Sequence, residues 1–578
     1  FAEKDLQTKL FEYIGKWEDP KLYKDYVASK SDPKVLKKTL KSYYPTPNDV
    51  PTIGFGRTVG VDKNTTSTLG AEISSFQSDL KSREEKVKKL VGAAIAFGNV
   101  LRGTFGPNGL DKMLYKTNGE AAVTNDGAKI VAELLVKHPA AKAFVSLAES
   151  QENACGDGVT GCILLASELM SEAGRLLERG LHPLILVKGY EMALSQTLDE
   201  LDNRSESLGK NLERVARTAL VGRSTEGALD HLSRLIAQAV ELIPDSDYER
   251  VRMVKAGEGT PATSTLVPGI ILEKRLALER MPRKLSDAKI AVLSCPLELE
   301  QSTVSAEIEI STPEQYERFI DAEHSQIEKI IEKAKACEAN IIFSAEGIDS
   351  RVLHSLADAD IFALGGIERP MAEDIAQACD AKLCDHLDDL PSSLGRIDSL
   401  EHQRLEGAEG VKERIILEVG QNAGIVTLLV GGTDGVAAEE TIRGLYDALR
   451  STCLAKEEDL VVLGGGSLHM AASLRVREAA ENCPGRERLS MEAFARALEG
   501  IPAALSANAG EDKIDALLEL RSLHRAGQID SGITHSGKPG PIDSVWLPTY
   551  TIEHAISAAC ESACSLLRVD QVISARGD

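Results

Sequence analysis

Basic residues are in short supply: 66 Lys and Arg stand against 89 Asp and Glu, a formal net charge of −23. A protein that grips a polyphosphate backbone or an anionic bilayer needs a basic face, so no nucleic acid and no membrane is expected as a main partner. A single nucleotide is not excluded, because glycine amides and Mg2+ neutralise a triphosphate locally. Long apolar runs are also missing, and none approaches the roughly 18 residues that cross a bilayer. Aromatic residues make up only 4% of the chain, which leaves aliphatic and alanine-rich sequence suited to many helices. The ten cysteines are scattered over 578 residues, unlike the dense framework of a small secreted domain. Cys379/Cys384 and Cys560/Cys564 can be read as metal ligands. Neither pair is followed by a second at zinc-site spacing and both lie in apolar helical pattern, so buried thiols are the expectation. These absences point to a reducing, cytoplasmic compartment, and the length to two to four domains.

What is present centres on Cys155-Gly156-Asp157-Gly158-Val159-Thr160-Gly161, followed by the apolar run Cys162–Ala166. Glycines flanking an acid allow a tight turn, and the helix that follows aims free amides and its positive dipole end at an anion. Asp157 is badly placed to touch bare phosphate but well placed to hold Mg2+ bound to phosphate. Taken alone, such a turn is more often a simple helix cap. Two more turns precede it: Gly103-Thr104-Phe105-Gly106-Pro107-Asn108-Gly109, and Thr124-Asn125-Asp126-Gly127 leading into a helix. Three glycine turns at helix ends, so close in sequence, can converge on one anion.

Other stretches differ in character. Residues 1–81 read as short, Lys- and aromatic-rich amphipathic helices followed by a polar linker. Gly54–Gly60 has no preceding strand and no following Lys-Ser/Thr, so it reads as a loop and not a phosphate site. Residues 266–300 and 338–385 alternate β-type runs with helices, which predicts an α/β block. A long charged helix from Pro313 through Lys335 carries Tyr316, Phe319, Ile320, Ile327, Ile330 and Ile331 on one side, equally readable as packed on the sheet or as a projecting arm. The last third returns to helices, with glycine turns at Gly431-Gly432-Thr433 and Gly464-Gly465-Gly466. Helical sequence on both sides of an α/β insertion predicts a discontinuous domain whose ends fold together.

Thr104-Phe105-Gly106-Pro107-Asn108-Gly109-Leu110-Asp111-Lys112-Met113-Leu114, Thr124–Gly127, His138-Pro139-Ala140-Ala141-Lys142, Gly156-Asp157-Gly158, Gly431–Thr433, Asp447-Ala448-Leu449, Gly464–Gly466, Asn508-Ala509-Gly510 and Leu566–Asp570 follow in the order and spacing of one family. From about residue 82 to the end the sequence resembles the group II chaperonins, the thermosome and eukaryotic cytosolic chaperonin family. The resemblance implies a multidomain α and α/β chaperonin architecture. Its helical equatorial ATPase domain would comprise 82–212 and 457–578, and its small intermediate domain 213–280 and 422–456. An α/β apical substrate-binding domain would span 281–421, with a helical lid protrusion near 301–335. Residues 1–81 would be an extension of unknown role.

The resemblance also implies residue roles. Asp157 matches the Mg2+-binding acid, Gly158, Val159 and Thr160 the phosphate turn, and Thr104, Gly106 and Pro107 the first phosphate loop. Asp126 and Asp447 match the acids that position and deprotonate the attacking water. Gly465 and Gly466 match the nucleoside loop, Asp543 is a looser match at the ribose end, and Arg223 stands where the family usually has a γ-phosphate-sensing lysine. Val159 and Gly161 replace hydroxyl residues, a loss of ~1.5–3 kcal/mol for each hydrogen bond to a charged group. Lys129 stands for a threonine and offers a compensating cation, while His469 and Leu547 replace glutamates. The implied function is an ATP- and Mg2+-dependent folding chaperone in a double ring, partnered by other chaperonin subunits and non-native protein clients. The alternative is a chaperonin-like structural or interaction protein with weak or no turnover.

Overall fold

A computed structural model of the chain describes residues 83–115, 121–134, 139–222, 226–298, 313–407, 410–420, 424–432 and 436–569. The extension 1–81, with its loop Gly54–Gly60, lies outside these, as do Arg223, Thr433, Asp570 and the stretch 299–312. Residues from Leu90 onward form one compact unit.

Helices supply its first layer. Val159–Glu178 is apolar on most of its surface, with Cys162 through Ser167 all buried, so it runs through the centre of the layer. Around it pack Pro139–Cys155, Glu487–Leu498 and Thr549–Leu567, and Pro183–Arg204 and Ser467–Glu481 pack on Glu487–Leu498 and on each other. Tyr190 anchors the packing: its hydroxyl donates to the Leu169 carbonyl at 2.7 Å and its ring meets Phe494 edge-on at 5.5 Å between centroids. Burial pushes its phenol pKa well above the usual range. The early and late parts of the chain are stitched by a three-stranded sheet in which Leu460–Leu463 lies between Glu206–Ser207 and Trp546–Pro548.

A smaller layer follows. Val426–Val430 pairs parallel with Val251–Lys255 and antiparallel with Thr265–Val267. Its core joins Leu220, Leu232, Ile236, Val240, Leu428, Leu445 and Leu449. The last two lie on the long helix Val436–Glu458, whose other residues reach the helical layer.

The α/β block is a seven-stranded mixed sheet. Gly269–Leu272, Gly410–Glu418, Gly395–Gly407, Lys284–Leu293, Ile341–Ser344 and Phe362–Leu364 lie side by side in that order, and Leu383–Cys384 also pairs with Lys284–Leu293. Helices Ser350–Asp358 and Arg369–Ala378 alternate with the parallel strands. The helix expected from Pro313 runs Pro313–Ala336. Ile327 is buried and Ile330 and Ile331 are partly buried against the block's core, and Lys333 pairs with Asp388 at 2.7 Å. Its later half is therefore packed on the block; Tyr316, Phe319 and Ile320 have side chains outside the described set. One expectation needs correction: Cys379 and Cys384 do not share a helical pattern. Cys379 caps the helix ending at Ala378, Asp380 takes a left-handed φ of 53°, and Cys384 is on a strand. An apolar run this short does not distinguish helix from buried strand by periodicity. Both thiols are buried, as are Cys560 and Cys564 on the final helix.

Candidate functional site

The first turn is closed on itself. Gly109 N donates to the Gly106 carbonyl at 3.0 Å and Leu110 N to Gly103 at 2.8 Å, around Gly106 at φ 83°. Asn508 locks it from the far end of the chain, its amide donating to the Arg102 and Phe105 carbonyls at 2.8 and 2.7 Å. In the second turn Asp126 caps helix Gly127–Glu133 by accepting from Ala128 N at 2.9 Å. A Cβ on Gly127 would lie 2.3 Å from Thr160 Oγ1, so only glycine lets the second and third turns touch.

In the third turn the acid is not the cap. Gly158, at φ 83°, is the N-cap of Val159–Glu178, and that helix has no side-chain cap. Gly158 N donates to Asp157 Oδ1 at 2.7 Å. Behind the turn, Gln151 is fully buried and donates to the Asp157 carbonyl at 3.0 Å, while His554 Nδ1 contacts Gln151 Oε1 at 2.7 Å. Asp447 reaches the same place from helix Val436–Glu458 and is 9% exposed. Gly466, at φ 75°, is the N-cap of Ser467–Glu481, again with no side-chain cap.

These turns line one cavity of about 840 Å³. Thr104, Gly106, Pro107, Asp126, Asp157, Gly158, Val159, Thr160, Asp447, Gly465, Gly466 and Asp543 all contribute to its wall. Of the residues expected at the site, Arg223 alone lies outside the described residues. Leu165, Ile501, Leu505, Ile533 and Ile542 add apolar wall, the mixture that takes a flat base with a polar tail. Two uncapped helix starts present amides to an anion, and three carboxylates stand near them. Among the described residues no group of three or more His, Cys, Asp or Glu side chains could hold a metal by itself. That donor set fits Mg2+, which keeps waters and takes one or two protein carboxylates plus substrate phosphates.

The departures resolve unevenly. Val159 is 4% exposed, so most of its side chain is withdrawn from the cavity it borders. Gly161 faces the Phe105 ring, whose Cε2 would be 3.4 Å from an added Cβ. Lys129 is half-buried and is not among the lining residues, so the compensating cation expected there is not on the wall. His469 is on the wall, and burial pushes its imidazole down to about 4. Sequence reading missed Gln151, Glu152, Arg217 and Thr218. Gln151 had left a signal: it falls on the face of its helix that carries Phe144, Leu147, Ala148 and Cys155, where an unpaired amide would be costly.

A helical layer drawn from early and late parts of the chain, an α/β block drawn from its middle and a glycine-turn cavity lined by acids define a multidomain protein with a site suited to a nucleotide. Residues 97–577 match the TCP-1/cpn60 chaperonin family model. The chain is 35% identical over 500 residues to a thermosome subunit alpha of Archaeoglobus fulgidus, covering 84% of this chain and 91% of that one. It is 34% identical over 518 residues to a thermosome subunit of Methanocaldococcus jannaschii, covering 85% and 94%. A thermosome subunit of Methanopyrus kandleri matches at 34% over 500 residues, covering 84% and 91%. The chain belongs to the TCP-1/cpn60 chaperonin family, and within it to the group II branch.

Proposed function

We propose that this chain is an ATP-hydrolysing chaperonin subunit that works in a double ring and couples hydrolysis to enclosure of non-native protein. The observation that carries the reading is the convergence of Asp126, Asp157 and Asp447, from three separate stretches, on a cavity with two uncapped helix starts. We assign residues 82–212 and 457–578 to the equatorial part, 213–280 and 422–456 to the intermediate part, and 281–421 to the apical part with its lid near 301–335. The thermosome-subunit relatives support assembly with other subunits. Among the described residues no helix is long and apolar enough to cross a membrane.

Phosphoryl transfer to water needs charge neutralised at the β and γ oxygens and a held nucleophile. Asp157 would hold Mg2+, which supplies that neutralisation when bound with ATP. The turn Gly158-Val159-Thr160, whose Gly158 amide already donates to Asp157 Oδ1, and the turn of Thr104, Gly106 and Pro107 would bind phosphate oxygens, with Arg223 as a further cation. Gly465, Gly466 and Asp543 would take the nucleoside end. Asp447 and Asp126 would orient the attacking water, and Asp447 would accept its proton. Phosphate release from the purified chain tests this against an Asp447→Ala variant, alongside electron microscopy with and without ATP·Mg2+. Turnover lost in the variant and rings that close with nucleotide are expected; equal phosphate release from both proteins rejects the reading.

A further inference from the structure

The helix Val436–Glu458 touches the acidic turns through side chains that are not themselves on the cavity wall. Glu440 stands about two turns before Asp447 and Arg450 about one turn after it, spacings that put all three on one face. Glu440 Oε1 accepts from Thr124 Oγ1 at 2.9 Å, and that buried hydroxyl accepts from Asp126 N at 3.2 Å. Glu440 is held in turn by Arg443 at 3.0 Å. At the other end Arg450 Nη2 donates to the Glu152 and Asn153 carbonyls at 2.7 and 3.1 Å, and Nη1 to Glu152 Oε1 at 3.2 Å. Those carbonyls belong to the last turn of Pro139–Cys155, the negative end of its dipole and the step before Gly156-Asp157.

The turn is shaped around this arginine. A Cβ on Gly156 would stand 2.6 Å from Arg450 Nε, so the site accepts the guanidinium only because residue 156 has no side chain. The guanidinium also lies over the Tyr248 ring at 5.2 Å, which fixes its plane. One helix face is thereby fastened to the Asp126 turn on one side of Asp447 and to the Asp157 turn on the other.

We propose that Glu440 and Arg450 are positioning residues for ATP hydrolysis, a clasp that sets where Asp447 stands relative to the two acidic turns and acts on turnover, not on nucleotide affinity. The proposal rests on the ATPase reading above. Neither side chain borders the cavity, so removing either takes no group off the wall, and the effect reaches turnover through the placement of Asp447 against the two turns.

The test uses the full chain, with steady-state phosphate release and titration of ADP·Mg2+ measured on each variant. Arg450→Ala is expected to lower kcat tenfold or more while ADP·Mg2+ affinity stays within twofold. Thr124→Val keeps the volume and removes the hydroxyl; a three- to tenfold loss of kcat is expected, with Thr124→Ser restoring it to within twofold of the parent. If Arg450→Ala fails to fold, the Thr124 pair decides. Unchanged kcat in the variants, or kcat and affinity falling by the same factor, overturns the clasp while leaving the ATPase reading intact. A parent protein that releases no more phosphate than Asp447→Ala overturns both.

Discussion

The strands of the α/β block lie within residues 269–418, and its core is filled from the same stretch by Ile290, Phe343, Phe362 and Leu417. The cavity wall, by contrast, is drawn from Thr104 to Ile556 and made largely of turns. In the block, side chains fill one contiguous core from strands such as Ile341–Ser344 and Phe362–Leu364 that are buried along their whole length, and the backbone is satisfied by its own ladder. At the cavity the backbone shapes the turns that carry the carboxylates of Asp126 and Asp157, which Asp447 joins from its helix. Gly106, Gly156, Gly158, Gly465 and Gly466 all have φ between 62° and 83°, and two helix starts are left without side-chain caps. The block can therefore lose packing without losing chemistry, whereas the cavity can lose chemistry without losing much packing.

Asp447→Asn applies the most severe test to that contrast. Removing a positioned base is expected to cut kcat by ~10²–10⁴-fold and leave thermal unfolding of the chain nearly unchanged. A melting shift of the size produced by a core truncation would mean that Asp447 is chiefly structural. Phe343→Ala is the reverse experiment. Phe343 is fully buried and meets Phe362 edge-on at 6.0 Å, so truncation should destabilise the block by about 3–5 kcal/mol. Phosphate release per folded subunit should hold within twofold. If it does not, block and cavity are one cooperative unit.

How legible each region was follows from the same contrast. The glycine turns were readable because turn chemistry is local: Asp126-Gly127 and Gly156-Asp157-Gly158 announce a backbone conformation from adjacent residues. That the three early turns can converge on one anion was readable from their closeness in sequence, whereas the arrival of Asp447 and Gly464–Gly466 beside them was readable only through the family resemblance. The contacts that hold them are not local. Arg450 meets Glu152 and Asn153 across nearly three hundred residues, and Asn508 clamps Arg102 and Phe105 across about four hundred, pairings that no periodicity encodes. In the block, the strands at Ala288–Leu293 and Asn340–Phe343 were legible from β-branched runs. Cys384 was misplaced because the helix break is set by one left-handed residue, Asp380, between short apolar runs whose period does not tell helix from strand.

A smaller effect should appear with pH. His469 borders the cavity, and its folded pKa of about 4 lies below the ordinary 6.5 because burial penalises the charged form. Between those values the unfolded chain binds more protons, so stability falls as pH drops through the window and the loss is complete near pH 4. Because the cavity admits water, the contribution is discounted to ~1–3 kcal/mol. Urea unfolding at pH 7.5 and pH 4.5 should show it, and His469→Gln should remove that part of the difference. An identical pH dependence in the variant would mean that His469 is well solvated. The cavity wall would then be less dry than its lining suggests.

The smallest expected effect concerns Val159, where sequence alone suggests a lost phosphate contact. Its amide remains in the turn that borders the cavity, and the residue is almost wholly buried. A threonine in the same place would bury a hydroxyl at the first residue of the helix. Val159→Thr is therefore expected to cost about 1 kcal/mol of stability and to change kcat by less than threefold. Gly161→Ser is its natural companion, since the Phe105 ring leaves ordinary contact distance for a Cβ. If either substitution raised kcat tenfold, the hydroxyls would be working groups that this chain has given up. Hydroxyls would then share phosphate binding with the backbone amides, and the division between the two regions would be less sharp than the turns imply.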